Sequence, residues 1–134
     1  MRLYVETSAA AKLLIEEPES EPLARFLEAA VERDTGLVSS LVLETELRRL
    51  AVRWSLPQGA VSDALRRFDL LLPDRTIYRD AGLLAGAHLR SLDALHVAAA
   101  LRLNAAAMLS YDARQGDAAR SVGLEVIAPG GASR

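Results

Sequence analysis

The chain has no cysteine, which removes disulfides, thiolate metal sites and a cysteine nucleophile from consideration. Aromatic residues fill only 4% of its 134 positions, so stacking platforms for single-stranded nucleic acid are scarce. No apolar run reaches the roughly 18 residues that a membrane span needs. Met1-Arg2-Leu3 runs straight into a strand-like segment, without the apolar region and small-residue cleavage site of a secretory leader. A cytoplasmic protein with no membrane contact is therefore expected. The net charge is −2, so a broad basic footprint is missing and any nucleic-acid contact must use a local patch. Lys12 is the only lysine. The other basic residues are arginines, which suit bidentate phosphate contacts, although a GC-rich coding sequence explains the same bias. No Gly-x-Gly-x-x-Gly follows the first strand-like run, no Gly-Lys-Ser/Thr loop occurs, and no lysine lies near the last strand. Dinucleotide-binding, phosphate-loop and receiver readings are disfavoured accordingly.

What remains is ample apolar material for one domain, with 51% hydrophobic residues. Leu3-Tyr4-Val5 reads as a buried strand. Thr7 or Ser8 caps a helix expected to run to about Glu16, before Pro18. Ser20-Glu21-Pro22 opens a second helix whose stripe is Leu23, Phe26, Leu27, Ala30 and Val31. Gly36 to Ser39 is a second strand. Ser40 starts a third helix with Leu43, Leu47, Leu50 and Trp54 inward, and Pro57 a fourth with Val61, Leu65 and Phe68 inward. Leu70 to Leu72 is a third strand. Helices follow from Thr76 to Ala87, with Gly82 and Gly86 as close-packing points, and from Ser91 to Leu103. Ala107 to Ser110 is a fourth strand, Ala113 to Ser121 a helix, and Leu124 to Ala128 a fifth strand. Alternating strands and helices predict an α/β fold: a parallel sheet of about five strands with helices on both faces. Residues 1–129 form one domain in this reading, and 130–134 a flexible tail.

Ligands of open parallel sheets bind beyond the carboxyl ends of the strands. Glu6 follows the first strand and Asp112 the fourth. Glu46 falls at the edge of an apolar helical stripe, and Asp93 lies in the first turn of its helix. Taken singly, each acid has an ordinary explanation as a cap, a complement to the helix dipole or a solvated residue. Glu44 lies nearly as close to the stripe as Glu46. Gathered together, such acids repel by roughly 3 kcal/mol per pair at about 5 Å and an effective dielectric near 20, so the cluster would take up protons or a cation. Oxygen-only ligands favour Mg²⁺ or Mn²⁺ over zinc, and carboxylate-held Mg²⁺ commonly serves phosphate chemistry.

Four stretches, "LYVETSAAAKLL", "SSLVLETELRRL", "SLDALHVAAAL" and "SYDARQGDAARSVGLEVIAPG", span nearly the whole chain. In this order they resemble PIN-domain endoribonucleases, specifically the VapC-type toxins of bacterial toxin–antitoxin pairs. The resemblance implies an acidic catalytic and metal-binding site at Glu6, Glu46, Asp93 and Asp112. It selects Glu46 over Glu44, because the family acid lies seven residues after the first serine of its stretch. It also implies supporting hydroxyls at Ser8 and Ser110 and a further acid at Asp117. Mg²⁺-dependent RNA cleavage, a homodimer and inhibition by a small cognate antitoxin are implied as well. Most of the apolar faces of the first two helices (Leu13, Leu14, Leu23, Phe26, Leu27) should be core, and by the resemblance part would take an amphipathic antitoxin helix.

One residue departs from the family pattern. The family reads Asp-Thr-Ser where this chain has Glu6-Thr7-Ser8. Glutamate adds a methylene, roughly 1.5 Å of covalent length, while Mg²⁺ demands near-octahedral geometry at about 2.0–2.1 Å. A site that still binds metal with weaker catalysis is expected, and a catalytically impaired module that mainly binds antitoxin or RNA is the alternative. Arg48, Arg49, Arg53 and Arg114, near the acids in sequence, are read as the arginines able to touch RNA phosphates. His96, three residues after Asp93, reads as a packed, hydrogen-bonded histidine or as a catalytic one. His88 has no motif around it.

Overall fold

The structure, a computed structural model, describes residues 1–131. Its sheet has five strands, β1 (Arg2–Val5), β2 (Gly36–Ser40), β3 (Asp69–Leu71), β4 (Ala107–Leu109) and β5 (Glu125–Ile127). All neighbours are parallel and the order is β3-β2-β1-β4-β5. The helices are α1 (Thr7–Ala10), α2 (Ser20–Glu32), α3 (Val42–Trp54), α4 (Gln58–Leu65), α5 (Arg75–Leu83), α6 (Ser91–Arg102) and α7 (Ala113–Ser121). The chain moves outward from β1 to β3, then crosses back to β4 and on to β5. Strand order therefore reverses between β1 and β4, which opens a crevice at their carboxyl ends.

The period-two pattern of β1 divides the core. Leu3 and Val5 pack with Leu37, Ala107 and Leu109 against α1, α2, α3 and α4. Tyr4, in register with Val38 and Met108, faces α6 and α7 on the other side. Alanines 94 and 98 to 100 are buried along α6, and their small side chains let this helix lie close on the sheet. Helices α2, α3 and α6 run into left-handed residues just past their ends, Asp34, Ser55 and Asn104, and α7 into Gly123.

Several expected boundaries move. The first helix is one α turn followed by a 3₁₀ turn at Ala11–Leu13, and it stops before Ile15. Its N-cap position is Glu6, not Thr7 or Ser8. The third helix starts at Val42, because the Ser40 hydroxyl accepts the Val42 N–H and holds a turn there. The fifth ends at Leu83, so Gly82 and Gly86 are not close-packing points. A Cβ on Gly82 would meet nothing within 4 Å, and Gly86 sits in the following loop at φ +114°. Val31, Trp54 and Leu72 point outward although the periodicity placed them inward or in a strand. Of the expected tail, Gly130 and Gly131 form a turn over Pro22 and Ala128, and Gly130 takes a positive φ where a Cβ would clash with Pro22. Residues 132–134 lie outside the described residues. Among the described residues no helix is long and apolar enough to cross a membrane.

Candidate active site

Glu6 is the residue after β1, and its N–H still bonds the Leu109 carbonyl at 3.1 Å. The Val5–Leu109 register therefore sets Ser110 beside it, just past the end of β4. The Ser110 hydroxyl donates to Glu6 Oε1 at 2.7 Å, and the Ser8 hydroxyl donates to the same oxygen. Ser8 also accepts the Tyr111 N–H at 2.8 Å, which ties α1 to the end of β4. Glu6 is only 5% exposed. Its burial raises its pKa above the usual carboxylate value, and the two serine hydroxyls offset this in part.

Glu46 is delivered by α3. Leu43 and Leu47 are fully buried against the sheet, and the residue between them at the stripe's edge faces the strand ends. Glu46 Oε1 accepts from Thr7 Oγ1 at 2.6 Å and from His96 Nε2 at 2.6 Å. Burial alone would raise its pKa, but the hydrogen bonds from His96 and Thr7 help to outweigh that and hold it below the usual value. Glu44 instead pairs with Arg48 at 2.8 Å one turn away.

Asp93 stands half-buried in the first turn of α6. Burial raises its pKa, and the negative charges of Asp112 and Glu46 push the same way. These acids thus sense one another electrostatically. Asp112 is the N-cap of α7, and its Oδ1 accepts the Arg114 and Gln115 N–H groups at 2.9 and 3.2 Å. Gln115 reaches back through Nε2 to the Asp93 carbonyl at 3.2 Å. One buried residue therefore links the carriers of two acids. Its Oε1 is enclosed without a hydrogen-bond partner.

Glu6, Glu46, Asp93 and Asp112 all line one cleft of about 720 Å³ over the β1/β4 reversal, with Ser8 and Thr7 in its wall. Ser110 lies beneath, bonded to Glu6. Asp117 is not brought in: it is exposed and pairs with Arg120 at 3.5 Å. Arg49, Arg53, Arg90 and Arg114 line the same cleft, so an acidic floor has a basic rim. Arg48 does not, because Glu44, Gln58 and Ser62 hold it. The donor chemistry, four carboxylates without sulfur, suits a hard divalent cation. Among the described residues, no three acidic or histidine side chains are already drawn close enough together to hold an ion. Glu6 and Glu46 each have one oxygen engaged by neighbouring donors.

Sequence reasoning missed Arg90, Gln115 and the bond from Thr7 to Glu46. Arg90 was legible as the cation immediately before the Asp93 helix. Gln115 carried no signal, since its partner is a backbone carbonyl 22 residues away.

Comparison with known proteins follows the same outline. The model of the PIN domain family matches residues 3–121. The chain is 38% identical over 129 residues to Ribonuclease VapC46 of Mycobacterium tuberculosis, covering 95% of this chain and 97% of that protein. It is 38% identical over 134 residues to Ribonuclease VapC35 of the same species, covering 96% and 97%. Among solved structures, FitAB bound to an IR36 DNA fragment superposes with a TM-score of 0.72 at 18% identity, covering 98% of each chain. FitAcB from Neisseria gonorrhoeae superposes with a TM-score of 0.66 at 21% identity, covering 95% of this chain and 97% of that one. At these identities the two structures speak for the fold.

Proposed function

Since this chain belongs to the PIN domain family, and within it to the VapC type, we propose that it is a divalent-metal-dependent endoribonuclease, the toxin of a toxin–antitoxin pair. The observation that carries this reading is that four acids from four separate segments line one cleft where the strand order reverses. The relatives are named as ribonucleases. RNA is accordingly the proposed substrate, and Mg²⁺, with Mn²⁺ as substitute, the proposed cofactor. A small cognate antitoxin and a homodimer are the proposed partners, in the cytoplasm.

Glu6, Glu46, Asp93 and Asp112 would hold the cation. When bound, it supplies a more acidic water and charge stabilisation on the phosphodiester. The chain's own residues do the remaining work. Ser8 and Ser110 turn the Glu6 carboxylate into the cleft floor. Thr7 and His96 keep Glu46 ionised and oriented. Arg49, Arg53, Arg90 and Arg114 line the cleft as cations suited to the phosphates on either side of the reacting one. With aromatics so few, recognition rests on these phosphate contacts and on RNA shape.

A specific observation supports the second reading, an impaired module acting by binding. Glu6 is drawn against two serines, and no three of the acids are yet closed around a point. Cleavage of structured RNA with Mg²⁺ or Mn²⁺, with chelator as control, separates the readings when the chain is compared with Glu6→Asp. Metal-dependent cleavage by the chain itself is expected, rising on the order of up to 100-fold in the aspartate variant. Cleavage only after the substitution would establish the impaired module. Absence of cleavage in both would overturn the nuclease.

A further inference from the structure

The fully buried imidazole of His96 is the strongest unassigned group in the molecule. Its Nδ1 lies 2.7 Å from the Tyr4 hydroxyl and its Nε2 lies 2.6 Å from Glu46 Oε1. The Tyr4 ring meets it edge-on at 75°, with centroids 5.6 Å apart. We propose that His96 is a positioning residue that locks the rotamer of Glu46, engaging Oε1 from the interior and leaving Oε2 as the oxygen available to a cation in the cleft. The inference rests on the reading of the cleft as a divalent-cation site.

The proton inventory fixes the direction of the chain of bonds. A carboxylate oxygen only accepts, so Nε2 must carry the hydrogen. In the neutral ring Nδ1 is then the acceptor, and the Tyr4 hydroxyl donates to it. Tyr4 thereby sets the tautomer, as the partner of the second ring nitrogen does in metal sites. Thr7 Oγ1, 3.2 Å from Nε2, adds a second donor on the same Glu46 oxygen. Glutamate has three side-chain torsions, and two donors on one oxygen remove most of that freedom.

The chain of bonds also joins the elements that carry three of the acids. Tyr4 precedes Glu6 by two residues on β1, His96 follows Asp93 by three on α6, and Glu46 stands on α3. Any buried histidine needs partners at both nitrogens; what singles out His96 is that one of its partners is an acid of the cleft. Here both are engaged, at 2.7 and 2.6 Å, and they tie α6 on one face of the sheet to β1 and to α3 on the other face.

Two polar variants separate position from packing. The amide of His96→Gln reaches about as far as Nε2, whereas that of His96→Asn reaches only about as far as Nδ1. Calorimetric titration with Mn²⁺ alone is expected to show His96→Gln within about threefold of the wild type. His96→Asn is expected to be weaker by about 10- to 100-fold. Combining His96→Asn with Glu46→Gln should weaken binding no further than Glu46→Gln alone, because His96 acts through Glu46. Equal affinities for wild type and His96→Asn, or independent losses in the double variant, would overturn the inference while leaving the cation site intact. A wild type that binds no Mn²⁺ would refute the cation reading itself, and this inference with it. Should neither variant fold, the long-range ¹H–¹⁵N spectrum of the metal-free wild type decides: the Nε2–H pattern for His96 supports the lock, and the Nδ1–H pattern refutes it.

Discussion

Replacing Glu6 by glutamine should make the metal-free protein more stable at neutral pH. Glu6 is 5% exposed, and burial is the largest influence on its ionisation. Desolvating a carboxylate costs several kcal/mol even after relaxation, and the hydroxyls of Ser8 and Ser110 offset about 1.5–3 kcal/mol each. Burial outweighs the two hydroxyls, so a net penalty remains for the charged form. Glutamine keeps the shape and the accepting oxygen without the charge. The gain should appear as a rise in Tm, at about 4 °C for each kcal/mol in a chain of this length.

The sign of the pH dependence follows from the raised pKa. Glu6 contributes its full stability below the ordinary value of 4.5, and that contribution is lost as pH rises through the higher folded-state value. The gap between Glu6→Gln and wild type should therefore be near zero in mild acid and open as pH rises to neutrality. Thermal unfolding followed by circular dichroism in chelator, from about pH 4 to about pH 8, measures it. Adding Mn²⁺ should narrow or reverse the gap, because a cation bound only by the folded wild type at 100 times its Kd contributes about 2.7 kcal/mol. A glutamine variant less stable than wild type at neutral pH in chelator would refute the reasoning, as would a gap indifferent to pH.

Gln115→Leu should change unfolding free energy in urea by less than about 1 kcal/mol, because the lost bond to the Asp93 carbonyl is balanced by removal of an unpartnered buried oxygen. It should nonetheless lower metal-dependent cleavage on the order of tenfold by loosening the Asp93–Asp112 spacing. Each of Arg49→Ala, Arg53→Ala, Arg90→Ala and Arg114→Ala should reduce the salt-dependence slope of RNA binding by about 0.7, while Arg48→Ala, held by Glu44, should leave it unchanged. Filter binding between low and moderate salt checks both statements.

The layered α/β architecture was legible because its causes are local. Apolar runs of strand length alternate with helical stripes, and turn residues such as Gly123 and Pro57 sit at their ends. Where local signals misled, tertiary context decided. The first helix fell short of Glu16 because Ser20 Oγ, donating to the Lys12 and Ile15 carbonyls, offers that backbone a different set of bonds. Trp54 continues the stripe of α3 by periodicity, but it stands at the helix's last turn, where no element covers it. Of the arginines near the acids, Arg48 looked equivalent to Arg49, and only the side-chain partners on α3 and α4 distinguish them.

The residue order alone determined which acids stand at strand ends and helix starts, because that placement depends on periodicity and chain direction. Only the folded structure decided that they share one cleft. It also decided which oxygen of Glu6 and Glu46 is engaged and which buried groups hold each acid in place. Most of those facts come from the strand order and from contacts between residues 22 to 104 positions apart. Such contacts leave no periodic trace in the sequence, since each depends on a register and a rotamer set by the packed interior.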